Sequence, residues 1–158
     1  MKSMFCLDLN EAAPEWQEIK LTGDRPDGIS RHTAVFWDDK IYCLGGESNN
    51  VQIMKFFYID ISDTKVNYGQ LSAKCTEIIT NKSQAPLQLD SHTAVIYPES
   101  DNKDADKMIV FGGYFKSIKS SKIFEYRFED NIWKEIVLDT EEVDEKLEEI
   151  KKGMNEYE

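Results

Sequence analysis

The chain has 158 residues, with 19 basic and 30 acidic side chains and a formal net charge of −11 at pH 7. That balance excludes a general affinity for nucleic acid or anionic membrane surfaces, which need clustered Lys and Arg, and no run approaches the ~18 apolar residues of a membrane span. With 41% hydrophobic residues, including 8 Phe, 7 Tyr and 3 Trp, the chain is expected to form one domain with a substantial core.

The first residues, MKSMFCLDLNEAAPEW, place acids within the apolar stretch and do not read as a signal peptide. Alternation of large apolar side chains at period two predicts strands near 33–37, 40–45, 55–60 and 66–71. A second set is predicted near 92–97, 107–112, 122–128 and 132–137. Ile41 and Cys43 oppose Tyr42 and Leu44, and Ile109 and Phe111 oppose Met108 and Val110. Both faces are apolar, so burial on both sides is expected. From Asp139 to Glu158 there are nine acids and three bases, a net −6. Asp139 or Thr140 can cap a helix there, Glu142–Lys146 and Glu148–Lys152 are favourable pairs, and Val143, Leu147, Ile150 and Met154 form a narrow apolar stripe. Two readings of this tail stay open: a stripe that docks on the domain or on a partner, and a charged segment that only aids solubility.

The chain repeats itself. RHTAVFWDDKIYCLGG (31–46) and SHTAVIYPESDNKDADKMIVFGG (91–113) share His-Thr-Ala-Val, an Asp-rich turn, an apolar strand and Gly-Gly. Downstream lie FFYIDISDTKVNYGQL (56–71) and IFEYRFEDNIWKEI (123–136), and the N-terminal FCLDLNEAAPEWQEI (5–19) matches this second half alone. Trp16, Tyr68 and Trp133 fall at the same place in the three copies. This order of motifs resembles the kelch repeat over about residues 5–137, with Tyr68 standing where the pattern expects Trp.

The resemblance implies an all-β fold: a partial kelch-type β-propeller of about two and a half four-stranded blades (5–19 partial, 31–71, 91–137). The domain is set at 1–138, followed by an acidic helical tail at 139–158. Propellers close with ~4–8 blades, so three explanations stay open: a truncated product, a piece of a longer chain, or a subunit whose partner completes the stack. Kelch proteins bind partners through loops on one face, here 20–31, 47–54, 72–91 and 114–121. The resemblance therefore implies partner contacts at Arg25, Arg31, Asn49, Asn50, Tyr114, Lys116 and Lys119, with the tail stripe as a second contact.

Catalytic readings are weak. His32 and His92 are equivalent repeat positions at the start of the innermost strands, where imidazole serves the backbone. Asp90, Ser91 and His92 are sequence neighbours whose side chains alternate in direction and form no triad. Gly45-Gly46 and Gly112-Gly113 lack a phosphate-loop context and read as turns where an aromatic packs closely. Trp16 and Trp133 read as wedges between blades. Cys6, Cys43 and Cys75 have no partner cluster at ligand spacing. Propeller oxidases resembling galactose oxidase need tyrosine and histidine copper ligands, which two core histidines do not supply. Lys116, Lys119 and Lys122 lack the aromatic platforms of a nucleic-acid site. The expectation is a non-enzymatic protein without cofactor or metal that binds protein partners or self-associates. Neither nucleic acid nor membrane is expected as a partner, and the expected setting is the cytoplasm, with the cytoskeleton as the narrower version.

Overall fold

A computed structural model describes residues 3–25, 27–67, 70–80, 85–86, 89–99 and 105–137, the side chains of 63–67 excepted. Tyr68 and the tail, with Val143, Leu147, Ile150 and Met154, lie outside the described residues. The described chain is all-β. Among its residues, no helix is long and apolar enough to cross a membrane.

Met4–Leu7 (β1) and Trp16–Gly23 (β2) form an antiparallel hairpin. Thr33–Trp37 (β3), Lys40–Leu44 (β4), Phe56–Asn67 (β7) and Gln70–Glu77 (β8) make a four-stranded antiparallel meander. Between β4 and β7 runs a small hairpin of Glu47–Ser48 (β5) and Val51–Gln52 (β6). The pattern recurs with Thr93–Tyr97 (β9), Lys107–Phe111 (β10), Ile123–Arg127 (β13) and Ile132–Ile136 (β14). Its inserted hairpin is Tyr114–Phe115 (β11) with Ile118–Lys119 (β12). The strand expected at 66–71 is not one strand: residues 66–67 end β7, and 70–71 open β8, which runs on to Glu77 through residues 72–77 that were read as loop. Its sequence, QLSAKCTE, turns only the small Ala73 and Cys75 fully inward, so it carries little of the hydrophobic signal that marks a strand.

Register shows how closely the two meanders correspond. Leu44 and Phe111 immediately precede Gly-Gly and pair with Phe56 and Ile123. Lys55–Glu77 at 2.5 Å and Lys122–Glu135 at 2.8 Å are matching ion pairs. The hairpin turns match as well: Asn49 and Asn50 have φ of 51° and 61°, and Lys116 and Ser117 have 48° and 65°. Two successive positive φ values are the type I′ geometry that suits two-residue hairpins. Gly46 and Gly113, at φ 97° and 86°, press on the backbone of Ser30–His32 and Asp90–His92; an added Cβ would stand 2.5 Å from Ser30 O and 2.6 Å from Asp90 O. Only glycine permits that approach.

This correspondence corrects one alignment. Trp133 pairs with Tyr126, and the counterpart pair in the first meander is Cys75 with Ile59. The structural equivalent of Trp133 is therefore Cys75, with Tyr68 lying seven residues earlier.

The hairpin β1–β2 joins the first meander through parallel pairing of β2 with β8, giving one six-stranded sheet that curls into a half-barrel. Inside the curl sit Ile19, Ile29, Cys43, Phe57, Ile59, Ala73 and Cys75. The opposite face of this sheet packs on the second meander. There Tyr42, Leu44 and Phe56 meet Met108, Val110, Phe124, Tyr126 and Trp133, with Ala85 and Leu89 completing the core. Trp37 stacks on Phe128 with centroids 3.9 Å apart and donates from Nε1 to Asp106 at 2.9 Å.

Trp16 was expected to be buried and is 69% exposed, whereas Trp133 is 2% exposed. Both open a Trp-x-Glu-Ile run (Trp16–Ile19, Trp133–Ile136). Trp and Ile three apart point to opposite faces of a strand. In β14 the Trp faces the core; in β2 it is Ile19 that is buried. Burial of the second meander is also one-sided. Met108 and Val110 are buried, but Phe111 and Val95 stand out in solvent.

Candidate functional site: a polar cleft between the two hairpins

The hairpins β5–β6 and β11–β12 lie side by side and bound a cleft of about 770 Å³. Gln52 holds them together. Its Nε2 donates to Asp90 Oδ2 and, at 3.0 Å, to the Tyr114 carbonyl, and its Oε1 accepts from the Lys116 amide at 2.7 Å. One amide side chain on β6 thus ties the first hairpin to Tyr114 and Lys116 of the second.

Asp90 forms the floor and is 5% exposed. Its other carboxylate oxygen accepts from Ser91 Oγ at 2.8 Å. Its backbone bridges Tyr114 in both directions, at 3.2 and 2.9 Å. A buried carboxylate is tolerated only when hydrogen-bonded in this way. On the rim, Arg31 reaches Glu47 at 3.1 Å, with Glu47 the more buried of the two. Lys116 Nζ lies 5.3 Å from the Phe115 ring centroid. Two cations and two carboxylates therefore line the same cleft.

Of the seven loop residues singled out in the sequence, Arg31, Asn50, Tyr114 and Lys116 line this cleft, and Asn49 shares the turn with Asn50. Arg25 follows β2 and Lys119 sits on β12, and neither lines it. Lys119 instead borders a second hollow, of about 940 Å³, beside Trp133 and Ile118. Sequence reading missed Gln52, Glu47 and the position of Asp90 in the cleft. The signal was present in the hairpin turns: with Asn49-Asn50 and Lys116-Ser117 as turn pairs, Gln52 falls opposite Glu47.

The histidines do not build a catalytic relay. His92 Nε2 shares a 2.8 Å hydrogen bond with Thr33 Oγ1 on the neighbouring sheet, while Ser91 Oγ is committed to Asp90. Nδ1 of His32 and of His92 is buried without a partner among the described residues. Burial lowers the pKa of both imidazoles, for His92 to about 4. Neutral rings fit such surroundings, because a further N–H would find no acceptor. Burial likewise pushes the Cys43 thiol up to about 12 and the Cys75 thiol to about 11. Both are buried free thiols, held protonated and chemically quiet. Among the described residues, no group of three or more His, Cys, Asp or Glu side chains could hold a metal ion.

Compared with known proteins, the chain matches no family model and no curated protein.

Proposed function

We infer that this chain is a non-catalytic protein-interaction module: a partial propeller of kelch-type repeats that presents its inter-hairpin cleft to a protein partner in the cytoplasm. The observation that carries this reading is the convergence of Arg31, Asn50, Tyr114 and Lys116 from two repeats onto one cleft. Gln52 and the two type I′ turns hold that cleft in shape. Loops fixed by a rigid β scaffold are where such folds place recognition. A preset cleft binds without a large ordering cost, and its mixed charge suits a peptide bearing both polar and charged groups.

The test is quantitative capture of partners from cytosolic extract on the full chain, against Arg31→Ala and Asn50→Ala. A partner held by a charge-assisted contact should lose roughly tenfold or more in affinity, since such contacts are worth about 1.5–3 kcal/mol. The unfolding midpoint should not move for Arg31→Ala, and stability should fall by no more than about 1 kcal/mol for Asn50→Ala, whose left-handed backbone suits Asn better than Ala. If every captured protein binds the variants as well as the parent chain, the cleft is not the binding surface.

A second reading makes the chain a structural subunit, cytoskeletal in its narrower form, whose partner completes the sheet stack. The outward face of the second meander, which no described residue covers, favours it.

A further inference from the structure

The two meanders are equivalent, so each contact that the first makes with the second names a contact that the second is built to make with something else. On the first meander, Thr33, Val35, Trp37, Leu44 and Phe56 face the second sheet. Their counterparts by register are Thr93, Val95, Tyr97, Phe111 and Ile123, which share the outward face of β9, β10 and β13. Leu44 is 5% exposed and its counterpart Phe111 is 49% exposed; Val95 and Tyr97 are each 56% exposed.

The polar contacts show the same asymmetry. The Gly46 amide donates to Leu89 O at 2.8 Å, and the Ser91 amide donates to Arg31 O at 2.9 Å. Thr33 Oγ1 meets His92. A Cβ on Gly45 would collide with Leu89 O and lie 3.1 Å from the His92 ring, whereas one on Gly112 would find only Ser120 O at 3.5 Å. The receiving features, Thr93, Gly112 and Gly113, are all present on the second meander. Among the described residues, nothing fills them.

We propose that this face is a docking site for one further four-stranded β-sheet unit of the same repeat type, supplied from outside residues 1–158. The filled interface within this chain describes the occupant. It offers an apolar sheet face with a central aromatic residue, as Met108, Val110, Tyr126 and Trp133 do here. It brings a histidine to Thr93 and Gly112, and a backbone carbonyl to the Gly113 amide. Among the described residues, a second copy of this chain has no such face free. Its second meander spends that face in its own core, and on its first meander the corresponding residues, Cys43, Phe57 and Ile59, are enclosed with Ile19 of the N-terminal hairpin. The inference does not depend on the cleft, which is lined by other residues.

The experiment uses Val95→Cys as a reporter. Its labelling rate by a thiol reagent is followed by peptide mass in the full chain and in a chain extended with its own residues 79–137 joined after Ile136. The appended unit is the probe, since it carries the described occupant face. In the full chain, which should run as a monomer, the thiol introduced by Val95→Cys should react within a few-fold of a free thiol. In the extended chain it should react at least tenfold more slowly. An unchanged rate in a folded extended chain overturns the proposal. So does slow labelling in the full chain: a dimeric mass would assign the face to a second copy, and recovery on ending the chain at Val137 would assign it to residues 138–158. Should the extended chain fail to fold, Val95→Lys in the full chain decides. An open face leaves the unfolding midpoint unmoved, and a tenfold or greater loss in the folding constant means that the face is already covered. Arg31→Ala leaves all these readouts unchanged, so failure here and failure of the cleft reading are separable.

Discussion

Truncating Trp133 and Trp16 to Ala, separately, tests the packing directly, because the two residues open the same four-residue motif and differ in burial. Trp133 is 2% exposed, with its ring 4.9 Å from Tyr126 and 5.4 Å from Phe56, centroid to centroid. A buried indole removes about 150–250 Å² from water, which at about 25 cal/mol/Å² corresponds to roughly 4–6 kcal/mol. Measured aromatic truncations in cores fall at about 3–5 kcal/mol. We expect Trp133→Ala to cost about 4 kcal/mol, a large share of the ~5–15 kcal/mol that holds a domain together. Trp16, mostly in solvent, should cost about 0.5 kcal/mol or less. The assay is urea unfolding at 15 °C, followed by far-ultraviolet circular dichroism. With an m-value of about 2 kcal/mol/M, Trp133→Ala should lower the midpoint by roughly 2 M and Trp16→Ala by roughly an eighth of that or less. Equal losses from the two variants would refute the assignment of opposite inward faces to β2 and β14.

Other outcomes follow from the same geometry. Gly45→Ala should prevent folding or cost well over 3 kcal/mol, because both a positive φ and the Leu89 carbonyl oppose a Cβ; Gly112→Ala should cost only about 1 kcal/mol, the price of the left-handed backbone alone. Thermal melts separate the two, and equal costs would show that Gly112 is already covered. His92, with a folded-state pKa near 4 against about 6.5 unfolded, binds more protons when unfolded. Its contribution is therefore complete above about pH 6.5 and falls as pH drops toward 4, by roughly 3 kcal/mol at most. His92→Gln should flatten that part of the stability–pH curve, and an unchanged slope would mean the ring is not held neutral. At pH 8 a thiol reagent should modify Cys6 in the folded chain and reach Cys43 and Cys75 only with denaturant. Labelling all three at one rate would contradict the burial of the two core thiols.

Much of this architecture is determined by the sequence alone. Period-two alternation set β3 and β9 to within a residue, and it placed β4, β10, β13 and β14 almost as closely, because large apolar residues mark those strands regardless of what covers them. Gly-Gly doublets marked where β4 and β10 end, since positive φ is a local demand that few residues meet cheaply, but the short hairpins that follow them at 47–52 and 114–119 were read as loops. Four of the seven loop residues that the kelch resemblance implied as partner contacts line one cleft. Tertiary structure decided the rest. Alternation says that Trp16 and Ile19 face opposite ways but not which of them faces inward; that depends on the curl that encloses Ile19 with Phe57 and Cys75. The strand Gln70–Glu77 was hidden because its inward residues, Ala73 and Cys75, are small and its burial comes from neighbours remote in sequence. The clamp by Gln52 required two hairpins, 62 residues apart along the chain, to lie side by side. Local preference is written into each residue's own chemistry, whereas the choice of partner belongs to pairs of segments that only the folded chain brings together.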